Sequence, residues 1–161
     1  MTTRTFASWV APLAAEFREN RVALLEFARS LPAQAWDQAS PLEGWTYKDL
    51  LAHLAAGNDK QIPLLLRAVI ARTRVEPAWF GDAMNARNVD ERRGRSIDEL
   101  EAELERDGEE ILDLLAQLTD EHAGLRQEDF PQTFGESLPL FTAHDREHLA
   151  QLRTALDNVM L

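Results

Sequence analysis

Residues 44–61 read GWTYKDLLAHLAAGNDKQ, and within them Leu50, His53, Leu54, Gly57 and Gln61 recur at three and four residues. That spacing brings side chains to one face of an α-helix. Thr46 opens the run and Asp49 follows three residues later, a shortened relative of the Ser/Thr-x-x-Glu box that satisfies the first free amides of a helix. The stripe continues through Leu64, Leu65 and Ala68 to about residue 72. Pro63 lies inside it and lacks an amide hydrogen, so a kink or bulge is expected there rather than a break.

Three other stretches carry the same period. Val10, Leu13, Phe17, Leu24, Ala28 and Leu31 predict a helix over about 8–30, with Pro12 in its first turn and Pro32 beyond its end. Ser96 to Glu99 form a full capping box, and the apolar face after it predicts a helix over about 97–118. A last helix begins near residue 137, with Pro139 in its first turn, and carries Leu140, His144, His148, Leu149, Leu152 and Leu156. Residues 82–91 suit a short helix, whereas 123–136, with Gly124, Pro131 and Gly135, read as a long loop. No stretch alternates as a strand does. The fold expected is all-α, a four-helix bundle forming one domain over residues 1–161.

Composition narrows the function. With 161 residues, 17 Lys+Arg and 28 Asp+Glu, the net charge is −11, which repels nucleic acid and anionic lipid. No cysteine is present, which excludes disulfides, thiolate ligands and a cysteine nucleophile, and leaves nitrogen and oxygen donors for any metal. No apolar run approaches the ~18 residues needed to span a bilayer. The opening MTTRTFASWVAPLAAEF imitates a signal peptide, but its helical period runs straight through the would-be cleavage point, so a cytoplasmic protein is expected.

Chemistry concentrates on histidine. His144 and His148 stand at i and i+4, on one helix face with Cβ atoms ~6 Å apart. They continue the row of Leu140, Leu152 and Leu156 and so point inward, and His53 lies independently in the inward stripe of the second helix. Two readings follow. The three imidazoles share a metal and leave a coordination position open, as catalytic zinc sites do. Alternatively, His53 bonds a backbone carbonyl and the other two bond neighbouring carboxylates.

GWTYKDLLAHLAAGNDKQ, followed by TAHDREHLAQLRTAL at 142–156, resembles the DinB family of four-helix-bundle proteins, the DinB/YfiT-like metalloenzymes. The similarity runs from SLPAQAW at 30–36 through the last helix, and FGDAMNARNVDERRGRSIDEL at 80–100 is similar in style to relatives near the mycothiol-dependent maleylpyruvate isomerase branch. The resemblance implies a divalent metal, zinc or nickel, held by His53, His144 and His148. It implies S-transferase or isomerase chemistry with a low-molecular-weight thiol, a small-molecule substrate and a homodimer. Hydrolysis by an activated water stays open, as does a non-catalytic bundle that binds metal or sequesters a small molecule.

Other residues take lesser parts. Asp49, one turn before His53, either orients its free ring nitrogen and serves as a base for water, or caps the helix. Gln151, one turn after His148, is expected to line the pocket, and Trp79, Phe80 and Asn85 to wall its open side. Trp9, Trp36 and Trp45 read as core or staple residues. Asp145 and Glu147 are expected in solvent, and His122 exposed and outside the site. Arg87, Arg92, Arg93 and Arg95 either attract an acidic substrate or form a solvated turn.

Overall fold

Pro12 in the first turn and the extended Leu31 before Pro32 bound α1 (Ala11–Ser30). The capping box then works in both directions. Thr46 accepts the Asp49 amide, Asp49 accepts the Thr46 amide, and α2 (Tyr47–Ala56) begins. Next comes a π-helical turn, Gly57–Gln61, closed by a bond from the Ile62 amide to the Gly57 carbonyl, and the chain resumes as α3 (Ile62–Ala71) with Pro63 in its first turn. The bulge expected from Pro63 is therefore present. The widened turn sits just where the proline withholds a donor.

That turn rotates everything after it. One inserted residue shifts the downstream face: the expected stripe holds at Leu65 and Ala68 but fails at Leu64, which is 39% exposed, and Ile62, Leu66 and Val69 are buried as well. The remaining helices are α4 (Asp82–Asp90), α5 (Ile97–Leu115), α6 (Asp120–Ala123), α7 (Phe134–Ser137) and α8 (Pro139–Val159). The second capping box, Ser96 with Glu99, starts α5, and Thr133 with Glu136 starts α7 inside the segment expected as loop.

This computed structural model describes residues 3–159; the ends of the expected domain, residues 1–2 and 160–161, lie outside the described residues. Helix α1 packs on α5 and α8, α2 on α4, α5 and α8, and α3 on α5. Among the described residues extended pairing is limited to two isolated bridges, Ala39 with Thr46 and Arg126 with Thr133, so the fold is all-α. None of the described helices is long and apolar enough to cross a membrane.

Two apolar clusters make the core. One gathers Leu24, Leu50, Leu54, Leu104 and Leu152, and the other Phe17, Leu66, Val69, Ile111 and Leu115. Along each long helix a buried polar residue marks the boundary between them: Arg21 on α1, Asn58 and Gln61 in the π turn, Asp107 on α5 and His148 on α8. The candidate site lies in this polar layer.

Candidate metal centre

His53, on the last turn of α2, and His148, on α8, are both buried, at 5% and 7% exposure. His144, one turn before His148, is exposed at the rim. One ring nitrogen from each of the three lies within 4.8 Å of the others. The Nε2 atoms of His144 and His148 are 2.9 Å apart, and the His53 ring centroid is 5.4 and 4.9 Å from theirs. Tetrahedral zinc with ligand distances of ~2.0–2.1 Å needs nitrogens roughly 3.4 Å apart. The cluster is within small side-chain adjustments of that arrangement.

Gln151 settles which nitrogen of His148 is available. Its Oε1 lies 2.7 Å from His148 Nδ1, so the proton sits there and donates to the amide oxygen, leaving Nε2 bare and directed at His144. Gln151 thus supports a ligand and does not wall the cavity, a change from its expected place. His53 Nδ1 is buried without a hydrogen-bond partner. A buried imidazole nitrogen in that state costs free energy that a cation would recover. The set of three imidazoles and an orphaned nitrogen fits a divalent metal.

Electrostatics keep two of these rings neutral. Burial, then the facing imidazoles of His148 and His144, push His53 down to about 3, and burial with the nearby His148 pushes His144 down to about 4. Neutral imidazole is the form that ligates metal.

A cavity of about 290 Å³ opens beside the cluster, with Asn58, Gln61, Asn85 and Asp145 on its polar side. Gln61 Nε2 donates to Asn85 Oδ1 at 3.1 Å and to the Trp79 carbonyl at 3.0 Å. Phe80 and Asn85 line the cavity, whereas Trp79 does not: its backbone oxygen accepts from Gln61 and its side chain packs against the second apolar cluster. Asn58 Nδ2 bonds the Leu54 carbonyl at 2.7 Å, and its Oδ1 accepts from the buried Arg21.

Other placements differ from expectation. Asp145 lines the cavity and is only partly exposed; burial pushes its carboxyl up to about 6 against the pull of Arg21. His122 is 7% exposed, held in the short α6 by the Thr119 amide, which donates to its Nδ1 at 2.9 Å. Trp45 packs on His53 with ring centroids 5.2 Å apart, a contact its reading as a staple did not anticipate. Asp49 keeps both oxygens at the start of α2, accepting from the Thr46 amide at 3.0 Å and from Arg93 Nε at 3.3 Å, and makes no bond to His53 Nδ1.

A pH dependence follows for metal-free protein. An imidazole whose folded pKa lies below its ordinary 6.5 stays neutral while the unfolded chain takes up a proton, so stability is lost as pH falls below 6.5 toward 3. At a pH of about 4.5 His53 alone costs roughly 3 kcal/mol. Asp145 works the other way: its raised carboxyl takes up a proton in the folded state first, and returns roughly 2 kcal/mol over the same range. Chelator-treated protein is therefore expected to lose stability in urea titrations on acidification, and Asp145→Asn to steepen the loss. An Asp145→Asn slope equal to wild type would contradict the burial of that carboxyl.

The family model of the DinB superfamily matches residues 16–152. The chain belongs to the DinB superfamily, and the match includes the α2 histidine and both α8 histidines. No curated protein and no solved structure matches it.

Proposed function

We propose that this chain is a metal-dependent enzyme of the DinB type, built on a four-helix bundle, that directs a low-molecular-weight thiol at an electrophilic small molecule. The observation that carries the reading is the convergence of His53, His144 and His148 at an accessible cavity. These three would hold zinc or nickel with a coordination position left for the thiol. A divalent ion there supplies Lewis acidity, which favours thiolate over thiol and lowers the pKa of water.

The rest is done by the chain's own groups. Gln151 holds the proton on His148 Nδ1, so that Nε2 is the atom that would be free to hold a metal. Burial holds His53 neutral. Gln61 and Asn85, bonded to each other, present a fixed polar wall to the substrate. Thiol is favoured over water because its pKa of ~8.5 needs far less help than water's ~15.7. Asp49, which reads either as a base for water or as a helix cap, has its oxygens engaged at the helix start. The likeness of residues 80–100 to the mycothiol-dependent branch supports the same thiol class, and the homodimer implied by the family is part of this proposal.

The test begins with metal quantification on purified protein, expected to give about one equivalent per chain. Thiols are then offered with an electrophilic chromogenic arene. Turnover that chelation abolishes and metal restores is the expected result. Tight binding without product would point to a sequestering protein.

A further inference from the structure

We propose that the molecule bound at the three-histidine cavity carries an aromatic ring, seated in a second, apolar chamber that adjoins the first. The inference rests on the proposed function only for the head group at the histidines. The chamber measures about 160 Å³ and shares Phe80, Leu140 and Phe141 with the larger cavity; Leu65, Phe130 and Phe134 complete its apolar side. An apolar cavity of about 150 Å³ stays dry and accepts benzene, so the volume suits one six-membered ring.

The wall geometry is that of an aromatic site. Phe80 lies 6.5 Å from Phe130 at 88° and 6.5 Å from Phe141 at 50°, so faces and edges are both on offer to an incoming ring. Rings prefer offset or edge-on partners at centroid distances of ~4.5–7 Å. The two spaces also differ in polarity: Asn58, Gln61, Asn85 and Asp145 join the histidines in the first, whereas the second is walled mainly by apolar side chains, with Gln127, Gln132 and Ser137 as its polar lining. Such a division selects a ligand with a polar, metal-binding head and an apolar tail.

Leu140 stands between the two spaces and is 56% exposed, an apolar side chain that a bound ring would take out of water. It precedes His144 by one helical turn, which places the shared wall of the chamber roughly 6 Å along α8 from that imidazole. A linker of about two or three carbons between the donor atom and the ring spans this distance, given a metal–sulfur bond of ~2.3 Å.

The experiment uses the full chain loaded with cobalt(II), titrated with 2-mercaptoethanol, 2-phenylethanethiol and 3-phenylpropanethiol and read at the cobalt–thiolate absorption. The phenylalkyl thiols are expected to bind roughly 10- to 100-fold more tightly, the gain from burying one aromatic side-chain equivalent. Phe130→Ala, which alters the second chamber alone, should remove most of that advantage while leaving cobalt and 2-mercaptoethanol affinity unchanged. In parallel, 3-phenyl-1-propanol is titrated into metal-free protein and amide resonances are followed, with shifts expected at Phe130, Leu140 and Phe141. Equal affinity for all three thiols, or no shift at those amides, overturns the ring chamber even if cobalt binds. Failure of wild-type protein to bind cobalt overturns the metal reading instead, and the alcohol titration then decides the chamber alone.

Discussion

Purified His148→Ala is expected to retain less than a tenth of the zinc or nickel held by wild-type protein after identical dialysis, with affinity reduced at least 100-fold. The magnitude follows from position. Loss of an outer partner to a metal ligand already costs about 10–100-fold, and His148 is itself one of the three converging imidazoles. It is also the one whose ligating atom is fixed, through the 2.7 Å contact with Gln151. Gln151→Leu should therefore fall between wild type and His148→Ala, because Nε2 remains in place but the proton is free to choose either nitrogen. Elemental analysis of the three proteins, with circular dichroism to show that each is folded, checks the order. Full metal retention by His148→Ala would remove the centre and the enzymatic reading with it.

The histidines themselves were legible because helical period alone aligns them. His53 falls between Leu50 and Leu54 on a stripe that the structure buries, and the i, i+4 spacing of His144 and His148 needs no tertiary knowledge. The caps at Thr46 and Ser96 were legible for the same reason: they are local. What depended on packing was not. The inward row of α8 holds at His148 and Leu152 but not at Leu140, His144 and Leu156, which are exposed; Leu140 and His144 open onto the cavity.

The sequence places Asp145 in solvent only if α8 has one buried side. The field of Arg21 acts on it from α1, and the cavity makes a second. The π turn is the larger lesson. Pro63 signals that something must give, but the exact site of the extra residue decides that Asn58 and Gln61 meet the cavity and that Leu64 does not stay inside. No pattern of polar and apolar residues encodes that choice, since it is made by how α2 and α3 each dock.

The arginines between α4 and α5 lead to the second large effect. Arg92 is 1% exposed, so neither the substrate-attracting nor the solvated-turn reading describes it. Its Nε and Nη2 donate to Glu103 Oε1 at 2.9 and 2.7 Å, Nη2 also reaches Asp59 at 2.7 Å, and Nη1 bonds the Asn88 carbonyl at 3.2 Å. Asp59, Glu103 and Asp107 bring carboxylate oxygens within 4.8 Å of one another, a grouping that Arg92, Arg95 and Arg106 hold together by ion pairs. Arg92 therefore ties the segment after α4, which carries Asn85, to the π turn and to α5. Arg92→Met is expected to cost about 3–5 kcal/mol, because it strands Glu103 in the interior with only the half-exposed Arg95 beside it. That is a large share of a stability of ~5–15 kcal/mol. The double variant Arg92→Met, Glu103→Leu should recover much of the loss, since two apolar side chains leave no buried charge unpaired. Urea denaturation of the wild type, both single variants and the double variant measures the coupling. A sum of single effects equal to the double effect would show that the pair is not the unit that joins α4 to the rest of the site.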